Sequence, residues 1–332
     1  MYNNINPMQN SAVTYENKRL EKKELRKLGT LAGAALMLFI AFQLLSVLFL
    51  VITGLKDEYY YDRNITYSIG TLISIFSIFV PFFLIWICLK DKKRACLNFG
   101  KPYDSKLMLY AVPIGMMICM IGNFVTNYIS LFFENAFGIV FESPDLQTPT
   151  SPLGMMAFFL QVAFVPALVE EFAIRGVVMM PLRKYGNAFA IVVSALIFGL
   201  MHGNIIQATF AFIVGLGLGY LAITTGSMWT GVIIHFFNNL FSCVITLLYD
   251  YTSETQVNIV YYICVIVFFA SGIVCTALFI QRANKKQIPI RFKKPAVLNK
   301  PAARFGAYII NIPMIIAIIY LIYSTSQYVS RV

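Results

Sequence analysis

LAGAALMLFIAFQLLSVLFLVITGL, residues 31–55, runs for 25 positions without a charged side chain. A helix needs about 20 predominantly apolar residues to cross the hydrocarbon core of a bilayer, so this stretch is long enough to span and stay. The first 29 residues are polar and charged, with no short apolar core followed by a small-residue cleavage site. The run therefore reads as an uncleaved anchor and not as a secretory signal.

Further apolar runs follow along the chain. Candidate spans fall at 30–55, 67–89, 107–133, 153–181, 187–203, 205–225, 228–249, 257–281 and 305–325. Gly203-Asn204 and Thr225-Gly226-Ser227 are turn signals, with connections so short that the total reads as eight or nine spans. The expected fold is all-α, a polytopic transmembrane helix bundle. Its parts are a charged segment 1–29, N-terminal spans within 30–152, a core at 153–249 and C-terminal spans within 250–332.

Composition agrees. Of the 332 residues 59% are hydrophobic and 12% charged, against roughly half and a quarter in soluble domains. The net charge of +11 would suggest nucleic acid in a soluble protein. Here the basic residues cluster in loops between apolar runs, where they set topology and meet anionic headgroups. Nucleic acid is set aside as a partner, and the lipid bilayer takes its place. Lys18, Arg19, Lys22, Lys23, Arg26 and Lys27 precede the first span, and Lys90, Lys92, Lys93, Arg94, Lys101 and Lys106 follow the second. Arg183 and Lys184 follow the fourth span, and a further basic loop, 282–304, follows the eighth. The loops at 134–152 and 250–256 hold only acids: Glu134, Glu142, Asp145, Asp250 and Glu254. This alternation favours nine spans, with the N-terminus cytoplasmic and the C-terminus outside. The expected localisation is an integral membrane protein of a bacterial plasma membrane.

Six cysteines, among them Cys96 in the basic loop, form no CxxC pair and read as small hydrophobes rather than a redox or thiolate-metal site. Asn64-Ile65-Thr66 is a formal glycosylation sequon, read here as coincidence.

A few ionisable residues break the pattern. Glu170, Glu171 and Arg175 lie inside the fourth candidate span, and the only two histidines, His202 and His235, lie in the fifth and seventh. Each such group at bilayer depth costs about 2.5–3.5 kcal/mol on insertion scales, so all five are expected to line a polar cavity. Spacing supports convergence: Glu171 and Arg175 are four apart, as are Phe198 and His202, and His235 and Asn239. Taken singly, a buried His is most often a hydrogen-bonded structural residue and Glu171–Arg175 a structural ion pair. Jointly they favour function.

No Gly-x-Ser-x-Gly, HExxH or Cys-His adjacency appears. A carboxylate, two imidazoles and a carboxamide suit water activation and oxyanion stabilisation. Glu170, His202 and His235 also suit one divalent metal such as zinc, and the residues leave the choice between no cofactor and one metal open.

At this point the motifs resemble a known family. Glu170-Glu171-Phe172-Ala173-Ile174-Arg175 is similar to the EExxxR signature of the CAAX protease and bacteriocin-processing (CPBP, or Abi) membrane peptidases. Phe198-Gly199-Leu200-Met201-His202 resembles their FxxxH motif, and His235-Phe236-Phe237-Asn238-Asn239 their HxxxN/D motif, in the family's order. The resemblance covers about residues 153–249 and implies an intramembrane peptidase core acting on a membrane protein or peptide substrate. It implies Glu170 and His202 as the water-activating pair, His235 and Asn239 as the oxyanion site, and Glu171, Arg175 and Phe198 as supporting residues. Whether such enzymes are glutamate or metallo-peptidases is not decided by these motifs. Two readings of other classes stand beside this one: a non-catalytic membrane partner such as a bacteriocin self-immunity factor or scaffold, and a proton-coupled transporter. The second lacks repeated halves.

Overall fold

A helix leaves its first N–H groups unpaired, and here most helix starts carry a side chain that answers them. In the computed structural model, which describes residues 7–89, 99–142, 146–292 and 295–331, Asp104, Ser151, Asn204, Ser227 and Asn311 each accept from backbone N–H groups of the helix they open. Ser253 and Gln256 form a reciprocal capping box. Gly138 and Gly226 end their helices in the left-handed region, at φ +62° and +74°, where glycine is the residue without a Cβ penalty. The loop residues Lys90, Lys92, Lys93, Arg94, Cys96 and Asp145 lie outside the described residues.

The elements in order are α1 (Pro7–Ile52), α2 (Lys56–Tyr61), α3 (Arg63–Cys88), α4 (Ser105–Phe137), β1 (Ile139–Phe141), α5 (Pro152–Tyr185), α6 (Asn187–Met201), α7 (Ile205–Thr225), α8 (Met228–Tyr251), α9 (Glu254–Lys285), α10 (Pro301–Ile309), α11 (Ile312–Ser326) and β2 (Val329–Arg331). Helices dominate, as the composition requires. Among the described residues seven are long and apolar enough to cross a membrane, and α10 with α11, bent by 83°, makes an eighth. The chain is an integral membrane protein. Its outward side chains fit lipid: Leu44, Leu48, Ile52, Ile266 and Ile319 are all about half exposed or more.

Contacts between connections sort the chain into two ends. At one, Glu24 meets Lys184, Asp104 meets Arg282, and Glu21 accepts from the backbone of Leu298 and Asn299. At the other, Asn64 bonds Ser151, Thr148 bonds Asp250, and Asn204 bonds the Glu142 carbonyl. Among the described residues, α1, α3 to α9 and α11 each carry the chain from one end to the other, which is nine passages. The eight-or-nine ambiguity has a physical source. Both α6 and α11 have only 15 residues, about 22 Å of rise, shorter than the roughly 30 Å hydrocarbon core.

Two expectations change in detail. The acidic loop after α4 contains a strand, since β1 pairs antiparallel with β2 in the register Ile139 with Arg331 and Phe141 with Val329. Asn64 is occupied structurally: its Oδ1 accepts from the Ser151 backbone at 3.0 Å and hydroxyl at 2.7 Å.

Candidate functional site

The fourth span, α5, is not a regular α-helix. Prolines at 152, 166 and 181 interrupt its bonding, and π-helical turns occupy Leu160–Phe164 and Phe172–Met179. Such turns recur at functional sites because they widen the helix and redirect side chains. The two π turns flank Glu170 and Glu171.

Glu171 and Arg175 are both fully buried, with Arg175 Nη1 3.0 Å from Glu171 Oε1. The spacing read from sequence as an ion pair is one, although the segment after Glu171 is π rather than α. The Arg175 guanidinium lies 4.6 Å from the Phe198 ring centroid and reaches the Gly215 carbonyl at 3.5 Å. An unpaired charge in such a place would cost several kcal/mol. Here the carboxylate, the ring face and a carbonyl dipole share the compensation.

His235 reaches α5 from α8. Its Nδ1 is 3.3 Å from Glu171 Oε1, and its Nε2 is 3.8 Å from Glu170 Oε2. The first is within hydrogen-bonding range and the second is longer than a direct bond. The imidazole thus stands between the two adjacent carboxylates. Glu170 Oε2 is buried and has no hydrogen-bond partner among the described residues. Phe198 joins the histidines: its ring centroid lies 4.9 Å from that of His202 and 5.9 Å from that of His235, both edge to face. His202 caps the C-terminus of α6 and bonds the Phe198 carbonyl through Nδ1 at 2.8 Å.

Asn239 is placed differently from the rest. Its Nδ2 donates to the Val162 carbonyl at 3.0 Å, and its Oδ1 accepts from Asn238 at 3.1 Å. The first of these bonds ties α8 to the first π turn of α5 rather than to Glu170 or the histidines.

Glu170, His202 and His235 do not form a donor trio. Among the described residues no group of three or more His, Cys, Asp or Glu side chains is placed to hold a metal ion. His235 faces the two carboxylates through its two nitrogens, and His202 engages the Phe198 carbonyl through Nδ1. These residues do not fit a zinc site in this arrangement.

Gly231 carries no motif in the sequence, yet the site depends on it. A Cβ there would collide with Glu171 Oε2, so only glycine lets that carboxylate reach α8. The signal was available, because Gly231 precedes His235 by four residues and shares its helix face. Val162 belongs to no motif and nothing in its spacing marks it, and Asn204 is marked in the sequence only as part of the Gly203-Asn204 turn.

Residues 152–241 match the family model described as Type II CAAX prenyl endopeptidase Rce1-like. The match runs from the start of α5 into α8 and takes in all three motifs. Comparison with curated proteins and with solved structures returned no match.

Proposed function

We propose that this chain, whose central segment belongs to the CAAX protease family, is an intramembrane peptidase that hydrolyses a peptide bond in a membrane protein or peptide. The observation that carries the reading is the string Arg175–Glu171–His235–Glu170, in which one imidazole lies between two carboxylates and a buried arginine neutralises only one of them.

The chemistry follows from that asymmetry. Glu171, balanced by Arg175, accepts from the Nδ1–H of the His235 imidazolium and fixes the ring, which leaves Nε2–H as a second donor. Glu170 has no balancing arginine of its own and serves as the general base. It takes a proton from a water that attacks the substrate carbonyl, with His202 orienting that water. The oxygen of the carbonyl becomes an oxyanion, which His235 Nε2–H and the uncommitted N–H of Asn239 stabilise. Glu170 then returns the proton to the leaving amine. No step runs through a metal. The basic end of the bundle faces the cytoplasm in this reading, on the grounds of its Lys and Arg excess.

The test is reconstitution in liposomes with a labelled peptide library, comparing wild type with Glu170→Ala and His202→Ala. Cleavage by wild type and its loss in both variants is the expected result. A wild type that cleaves nothing, or variants that cleave equally well, would overturn the assignment.

A further inference from the structure

His202 ends α6, and only Gly203 and Asn204 separate it from α7. Gly203 takes φ +60°, and a Cβ there would lie 3.4 Å from the Ser324 hydroxyl of α11. Asn204, 1% exposed, acts in two directions. Its Oδ1 accepts from the Ile206 and Gln207 N–H groups at 3.0 and 3.1 Å and caps α7. Its Nδ2 donates to the Glu142 carbonyl, one residue past β1. The Glu142 N–H in turn donates to the Tyr328 carbonyl at 2.9 Å, which extends the β1–β2 register by one residue. An unbroken set of bonds therefore runs from β2, through Glu142 and Asn204, to within two residues of His202.

The cap on α7 needs only Oδ1. The donation to Glu142 is a separate function. Its consequence falls on α6, whose last turn sets the His202 ring through the Nδ1 contact with the Phe198 carbonyl. Terminal turns fray unless something holds them, and a frayed turn would release that imidazole.

We propose that Asn204 is a positioning residue for His202, and that the β1–β2 pair is the brace through which it acts. This rests on the reading of His202 as part of the water-activating site. The short sheet then locks the end of this 15-residue helix.

Asn204→Asp separates the two functions of the side chain. Aspartate caps a helix as well as asparagine does, but has no N–H to give Glu142. Deletion of residues 327–332 removes the brace from its other side and leaves Asn204 intact. The chain has two histidines, so histidine labelled with nitrogen-15 reports each imidazole separately in lipid nanodiscs. Both variants are expected to shift or broaden the His202 ring signals and leave those of His235 in place. Both should also lower kcat by about tenfold or more, as loss of positioning does, with KM within about twofold. The double variant should lose no more than either alone, since both cut one chain of bonds. Unchanged His202 signals in either variant, or multiplying losses in the double, overturn the brace. If Asn204→Asp fails to fold, the deletion carries the same expectations. If wild type cleaves no peptide, the peptidase reading falls, and the ring signals alone decide the brace.

Discussion

Asn239 donates to the carbonyl of Val162 at 3.0 Å, and Val162 is the residue four positions before Pro166. Proline has no N–H to offer that carbonyl. The carboxamide of one helix thus answers a carbonyl in another, at the π turn just before that proline. Asn239 therefore has a structural role that its place in a motif does not reveal.

Replacing Asn239 by Ala should cost about 1–3 kcal/mol, the range for leaving a buried acceptor unsatisfied. Pro166→Ala restores an N–H to the backbone. In that background the stability cost of Asn239→Ala should shrink, while any loss of peptide cleavage persists. Unfolding in mild detergent measures the first and turnover the second. A cleavage loss that disappears together with the stability cost would make Asn239 purely structural.

Gly231→Ala tests the close approach of α8 to Glu171. The added methyl meets the carboxylate oxygen, so Glu171 must withdraw from His235 or the helices must part. Turnover should fall by about tenfold or more. Gly306→Ala is the control, with its nearest neighbour 3.6 Å away. It should be neutral or stabilise by up to about 1 kcal/mol, the helix propensity difference. Equal effects at the two glycines would remove the special role of Gly231.

The spans were legible because lipid demands long apolar helices, and the site because charge inside such helices is costly enough to stand out. Glu170, Glu171, Arg175, His202 and His235 declare themselves on those grounds alone. What sequence hid is carried by the backbone and by absences. The acceptor of Asn239 is a carbonyl, which every residue has. Gly231 matters for an atom it lacks. The π turns around Glu170 arise from packing and proline placement, and a 3.6-residue period does not report them. The brace on His202 joins residues 142, 204 and 328, whose contact only the folded topology creates.

Glu171 and Arg175 should be inseparable energetically. Glu171→Gln or Arg175→Met alone leaves one buried charge without its partner, at a cost of about 3–5 kcal/mol. The double replacement should cost clearly less than the sum of the two, because neither charge is then stranded. Thermal unfolding of the four proteins closes the cycle. Additive losses would mean that the pair is not coupled in the membrane, despite its 3.0 Å separation.

Treatment with a strong chelator should leave peptide cleavage unchanged, because among the described residues no three His, Cys, Asp or Glu side chains are placed to hold a metal ion. A loss of activity restored by zinc would show that these side chains regroup around a metal in the working enzyme.

Acid should loosen the basic end of the bundle through Asp104. Arg282 donates to this carboxylate through Nε and Nη2, at 3.2 and 2.7 Å. Chiefly for that reason the Asp104 pKa lies below its ordinary value, with backbone N–H groups at the start of α4 lowering it further. A carboxylate depressed in the folded state contributes its full stabilisation above the unfolded pKa, about 3.9. The contribution is lost as pH falls through the folded value. Asp104→Asn keeps the helix cap and removes the charge. The difference in unfolding stability between wild type and this variant should therefore be flat from neutral pH to about 5 and shrink below about 4. A difference that grows on acidification would reverse the sign and refute the assignment. High salt should reduce the difference at neutral pH, since an ion pair this near the surface is screened.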